Sequence, residues 1–194
     1  MGTRGAYGYR IDGQDKVTYN HFDSYPDVLG ANTLAYTMLA GYDSMRRVAN
    51  RITLVNGDER PEKELVERYK SYADLEVSSG SLNDWYCLLR KTQGTLCPYH
   101  DDLEHMIDSH GFLADSLFCE WAYIINLDAK QFEVYRGFNT DTEAAGRYAS
   151  LNCDRANGYF GVKLIATAPL EGLCEELISP LTQFLNAYER AEVL

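Results

Sequence analysis

The chain has little of what marks a secreted, membrane-spanning or nucleic-acid-binding protein. Its five cysteines (Cys87, Cys97, Cys119, Cys153 and Cys174) are odd in number and include no Cys-x-x-Cys pair, which speaks against a disulfide framework. No apolar run approaches the roughly 18 residues that suggest a membrane span. The opening Met1-Gly2-Thr3-Arg4-Gly5 lacks the apolar core of a signal peptide, and a myristoylation start wants Ser or Thr where Ala6 stands. A cytoplasmic protein without membrane contact is expected, in the host cell cytoplasm if it is viral. Basic residues are scarce: 18 Lys and Arg face 29 Asp and Glu, a formal charge of -11. Affinity for phosphate backbones rests on clustered Lys and Arg, so nucleic acid is disfavoured as a partner. Also missing are a Walker loop and a Gly-x-Ser-x-Gly elbow, and Gly5 and Gly8 are too isolated to form a phosphate cradle.

What is present is a well-stocked core. At 194 residues and 45% hydrophobic, the chain can bury a core without staples. No Pro-, Gly- or Ser-rich linker divides it, so one domain over residues 1–194 is expected. Thr3 to Ile11, the turn Asp12-Gly13 and Lys16 to Asn20 read as a hairpin. Strand alternation puts Thr3, Gly5, Tyr7, Tyr9 and Ile11 on one face, and Arg4, Ala6, Gly8 and Arg10 on an open, Gly/Ala-lined other. Leu34, Met38, Tyr42, Met45, Ala49 and Ile52 recur at helical spacing and predict one amphipathic helix. Further helices are expected from Pro61 through Tyr69, after Ser81 as N-cap, and from Pro98 toward Gly111. Glu120 to Leu127 and Gln131 to Phe138 form a second hairpin, Tyr159 to Ala168 a fifth strand, and Leu173 to Arg190 a last helix interrupted at Pro180. The fold class expected is α+β: an antiparallel sheet of about five strands, built from two hairpins plus one strand, with about four to five helices packed on it.

The densest run of chemistry is Tyr19-Asn20-His21-Phe22-Asp23-Ser24-Tyr25-Pro26, where a strand runs into a loop. Asn brings donors and an acceptor, His a titratable nitrogen and Asp a carboxylate to orient it. Sites are often built where a loop leaves a rigid scaffold. The same residues also make a good Asx-type turn, with Asn20 holding it. Met1-Gly2-Thr3-Arg4-Gly5, followed by this run and by Leu29-Gly30, resembles the opening of a family of uncharacterised proteins of phages, giant viruses, bacteria and fungi. The resemblance covers the first 30 or so residues and brings no established activity. It implies a viral or mobile-element protein in which Arg4, Asn20, His21, Asp23 and Tyr25 form one site.

Other constellations carry less. His100, His105 and His110 are spaced by five residues, which on a continuous helix turns successive positions by about 140°. They cannot share a face there, though Asp101 and His105 would; no metal and no cofactor are expected. Arg46, Arg47 and Arg51 hint at an anion site and serve equally as partners for nearby acids. Tyr7, Tyr9, Tyr19 and Tyr25 offer rings for stacking on a planar ligand.

The leading expectation is a non-catalytic, viral-type binding protein of the kind that antagonises host defence. It would hold a small polar or nucleotide-like ligand, or a host protein, through Arg4, Arg10, Tyr19, Asn20, His21, Asp23 and Tyr25. The alternative is an amide hydrolase or transferase whose candidate catalytic residues are Thr3, His21 and Asp23. Thr3 would act as an N-terminal nucleophile once Met1 and Gly2 are removed, with Asn20 as oxyanion donor, or His21 would act as general base. A third reading is an interaction protein acting through its acidic surface, whose binding collapses as salt rises.

Overall fold

The computed structural model describes residues 2–151, 157–173 and 183. The architecture is α+β, built on a five-stranded sheet. The hairpin comprises β1 (Gly5–Ile11) and β2 (Gln14–Asn20), turned by Asp12 and Gly13, both at positive φ. That is the conformation a two-residue turn needs to match strand twist. Residues 21–120, which carry the helices, intervene before β5 (Trp121–Asn126), which forms a second hairpin with β6 (Gln131–Arg136); β7 (Lys163–Pro169) closes the sheet.

The strand order is β2-β1-β5-β6-β7. All neighbours are antiparallel except β1 and β5, which run parallel and join the two hairpins. The expected sheet of two hairpins plus one strand is present and mostly antiparallel, with this one parallel join. A parallel join needs a long crossover, and the helical region supplies it. A separate pair, β3 (Thr53–Val55) and β4 (His105–Ile107), is also parallel.

Alternation along the strands builds two cores. Tyr7, Tyr9 and Ile11 lie level with Tyr123 and Ile125, and with Phe132 and Val134 they pack under the helical layer. Here α1 (Ala31–Ala40) and α2 (Tyr42–Arg51) replace the one expected helix, because Gly41 at φ 72° breaks it. The predicted stripe is nonetheless on the core side, with Leu34, Met45, Ala49 and Ile52 buried. Lys16, itself buried, donates from Nζ to the carbonyls of Ala49 (2.8 Å) and Ile52 (2.7 Å), tying the hairpin to the end of α2. A cation satisfies the orphan carbonyls there.

Three further helices are short. They are α3 (Lys63–Tyr69), α4 (Trp85–Leu88) and α5 (Cys97–Asp101). The cap of α4 is Asp84, whose carboxylate accepts from the Tyr86 and Cys87 N–H groups, rather than Ser81. The helix expected from Pro98 to Gly111 ends at Asp101: His100 is on α5, His105 on β4 and His110 opens a 3₁₀ turn. Asp101 and His105 thus share no helix face. The expected terminal helix from Leu173 lies almost wholly outside the described residues.

The second face of the sheet is the larger correction. Ala6 is fully buried there with Val17, Leu113, Cys119, Ala122, Ile124, Tyr135, Tyr148 and Val162. The face expected to be open beside Arg4 and Arg10 is a second core. It also holds a buried carboxylate, Glu133, clamped by Arg147 (2.9 and 2.6 Å), Asn126 (2.7 Å) and the Tyr135 hydroxyl (3.0 Å). Arg10 pairs with Asp15 at 3.0 Å. No helix among the described residues is long and apolar enough to cross a membrane.

Candidate ligand-binding cleft

Sheet topology decides what meets. The register aligns Asn20, Gly5, Trp121 and Arg136 in one row across β2, β1, β5 and β6. The end of β2, the starts of β1 and β5 and the end of β6 therefore lie at one edge of the sheet. Four chain segments leave from that edge: 2–4, 21–25, 117–120 and 137–138. They enclose a cleft of about 630 Å³ lined by Thr3, Arg4, His21, Phe22, Tyr25, Phe118, Glu120 and Phe138 among others.

The loop after β2 is pinned from inside by the motif's small polar residues. Asn20 is buried and donates from Nδ2 to the Ser24 hydroxyl (2.9 Å) and to the Phe22 carbonyl. Ser24, also buried, donates its N–H to the Thr3 carbonyl (3.2 Å), and its own carbonyl accepts from the Tyr123 hydroxyl (3.1 Å). Gly5 allows this closure, because a Cβ there would lie 2.7 Å from that of Ser24 and 2.6 Å from the Trp121 carbonyl. Asn20 and Ser24 are the anchor of the turn, and the anchor pushes the residues between them outward.

What it pushes out is aromatic. Phe22 is 53% exposed, Tyr25 38%, Phe118 49% and Phe138 40%, which is unusual for four rings on three converging segments. Phe138 sits at φ 54°, a conformation a bulky side chain rarely adopts, and Asp23 shares it at the same end of the sheet. Arg4 lies over the Phe118 ring at 5.6 Å, and Arg136 is sandwiched between Trp121 (4.7 Å) and Phe138 (4.9 Å).

His21 sits in the wall. Its Nδ1 is 2.7 Å from the Tyr19 hydroxyl, its backbone N–H donates to Gln93 Oε1, and its ring packs edge-on against Phe22 at 4.2 Å. Burial first, then the charges of Arg90 and Arg4, hold the imidazole below its ordinary pKa. It is neutral at pH 7. Burial keeps the Tyr19 phenol above its ordinary value, and it is protonated there. When that hydroxyl donates to Nδ1, the neutral imidazole carries its proton on Nε2.

The expected site residues separate. Arg4, His21 and Tyr25 line the cleft, as does Thr3, which is 2% exposed. Asn20 and Asp23 line a second cleft, of about 260 Å³, on the other side of Phe22, together with Asn32, Arg90 and Gln93. Strand alternation is the reason: neighbours His21 and Asn20 leave β2 in opposite directions. Thr3 is therefore not brought together with Asn20 and Asp23. Arg10, six residues along β1 from Arg4, is roughly 20 Å away at the other end of the strand. Tyr7 and Tyr9 are core residues whose hydroxyls reach the Thr92 carbonyl (3.0 Å) and Tyr36 (2.7 Å). Arg46 and Arg51 are engaged with Asp12 and with the Tyr99 carbonyl, respectively. Among the described residues no group of three or more His, Cys, Asp or Glu side chains is placed to hold a metal ion.

Four contributors were not picked out from the sequence: Phe22, Phe118, Phe138 and Arg90. The available signal was weak. Phe118 lies three residues before the second hairpin and Phe138 two after it, where an aromatic ring could as well belong to the core. Compared with protein-family models, curated proteins and solved structures, the chain gives no match.

Proposed function

We propose that the protein is a binding protein for a small planar, polar ligand held in the cleft at the N-terminal hairpin. The observation that carries the reading is the ring of exposed aromatic side chains, Phe22, Tyr25, Phe118 and Phe138, around an arginine and a neutral histidine. Exposed rings on converging segments cost solvation unless something stacks between them, and a planar heterocycle has the π-face to do so. Arg4 and the His21 ring supply directional donors, and Glu120 an acceptor, for the polar edge of such a ligand. The opening motif's resemblance to proteins of phages and giant viruses supports a viral-type protein.

Native mass spectrometry of the purified protein tests the reading. Extra mass that leaves on denaturation, and that a Phe22→Ala/Phe118→Ala variant no longer carries, is the expected result. A wild-type chain that is empty, and that also takes up none of the four ribonucleosides or their 5′-monophosphates, would refute it.

A further inference from the structure

The smaller cleft, beyond the Phe22 ring, is lined by polar groups that the fold itself leaves unused. Asn20 forms part of its wall and is only 4% exposed. The carbonyl of Phe22 can only accept, so it is Nδ2 of the Asn20 carboxamide that faces the turn, donating to that carbonyl and to the Ser24 hydroxyl at 2.9 Å. Oδ1 is therefore turned the other way, toward Gly94, where a Cβ would lie 3.8 Å from it. Gly94 is a wall of the same cleft. Among the described residues no group donates to this oxygen. A buried acceptor without a donor is destabilising, and the open side of this one is the cleft.

Two opposite charges line the same space, Arg90 and Asp23. Arg90 stacks at 5.5 Å on the Phe22 ring and 5.6 Å on the Tyr86 ring, and its guanidinium donates to Gln93 Oε1, which also accepts the His21 N–H at 3.1 Å. Asp23, at φ 54°, is carried outward by the turn. Among the described residues neither charge lies within ion-pair distance of an opposite one, and they do not reach each other.

We infer that this cleft binds a free α-amino acid as its zwitterion, with the ammonium on Asn20 Oδ1 and the Asp23 carboxylate and the carboxylate on Arg90. An ammonium brings three donors and no acceptor, which a carboxamide oxygen and a carboxylate match. A guanidinium takes both oxygens of a carboxylate side by side. With Gln93 Oε1 held by Arg90 and His21, Gln93 Nε2 is a further donor for the same carboxylate. The cleft, of about 260 Å³, is smaller than the roughly 300–1,000 Å³ that holds drug-sized molecules, and the rest of its wall includes the apolar Val28 and Phe22, so a small aliphatic side chain fits. Stacking fixes the guanidinium beforehand, so little side-chain freedom is lost on binding. The site is separate from the larger cleft and does not rest on the planar-ligand reading.

Calorimetric titration of the full chain with glycine, L-alanine, L-valine and L-leucine, each beside its N-acetyl and its carboxamide derivative, tests the inference. At least one free amino acid should bind, with both of its derivatives at least tenfold weaker. An N-acetyl form as tight as its parent would overturn the ammonium site, and an equally tight carboxamide would overturn the carboxylate site. No binding of any free amino acid would overturn the inference as a whole and leave the planar-ligand reading standing. Asp23→Asn, which keeps a residue tolerant of positive φ, and Arg90→Gln should each weaken the bound amino acid at least tenfold; unchanged affinity in either would overturn the role given to that residue. A second readout needs no variant to fold. Saturating the wild-type protein with the amino acid should shift the NMR signals of the Asn20 carboxamide and the Gly94 amide, and shifts confined to other residues would overturn the placement.

Discussion

Replacing Arg147 with Met tests the polar network under the second face of the sheet. Glu133 has a side chain only 5% exposed, and both its oxygens are filled: Oε1 by Arg147 and Asn126, Oε2 by Arg147 and Tyr135. The variant removes two charge-assisted bonds and leaves a buried carboxylate with two neutral donors. Removing one partner of a buried ion pair costs about 3–5 kcal/mol, and the surviving donors place this case near 3. For a chain of this size each kcal/mol is worth about 2–4 °C in Tm, so a fall of roughly 6–12 °C is expected. The double variant Glu133→Leu/Arg147→Met removes both charges and should recover much of the loss, with a coupling of at least about 2 kcal/mol in the cycle. Urea unfolding followed by near-UV circular dichroism gives the numbers, read from the midpoint at constant slope. A single variant costing under about 1 kcal/mol, or strict additivity of the two changes, would refute the claim that this pair is desolvated and coupled.

Three further outcomes are expected. The tip of the first hairpin is held by Asp128, whose carboxylate accepts from the N–H groups of Asp12 (2.7 Å) and Gly13 (2.9 Å), and the Gly13 bond in particular keeps its pKa below the ordinary value. Its contribution is complete above an unfolded value of about 3.9 and is lost as pH falls through the lower folded one; an Asp128→Asn variant should flatten that part of the acid-unfolding curve. His21 and His105 are both held below their ordinary values, mainly by burial, so the unfolded chain binds these protons more tightly. Stability should therefore decline as pH drops below about 6.5 and level off once both are protonated in the folded state; thermal melts of His105→Gln against wild type between pH 7 and pH 5 measure it. Lys16→Met strands the Ala49 and Ile52 carbonyls at the end of α2, and a loss of about 1–3 kcal/mol in the same urea assay is expected.

Local chemistry and tertiary pairing divide this protein between them. Asp12-Gly13 demanded a tight hairpin because few other pairs take positive φ so readily, and alternation put Tyr7, Tyr9 and Ile11 on one face, which packing then buried with the two tyrosines that had been offered to a ligand. The stripe from Leu34 to Ile52 likewise marked one side of a helical layer, although Gly41 cut it in two. Periodicity is local, so it survives without knowledge of partners. Which strand lies beside β1 is not local. Its pairing with β5 is parallel and spans more than a hundred residues, and no turn signal announces it. That one pairing brings Phe118 and Phe138 to the edge where Phe22 and Tyr25 emerge, and Leu113, Tyr148 and Val162, from other distant segments, cover the face on which Arg10 had looked exposed. The motif was legible as a place where chemistry gathers, but its residues divide by strand alternation and by what Ser24 pulls inward. The sequence alone determined that a polar loop follows a hairpin; the cleft beside it exists because distant strands close side by side, and only packing of the whole chain decides that.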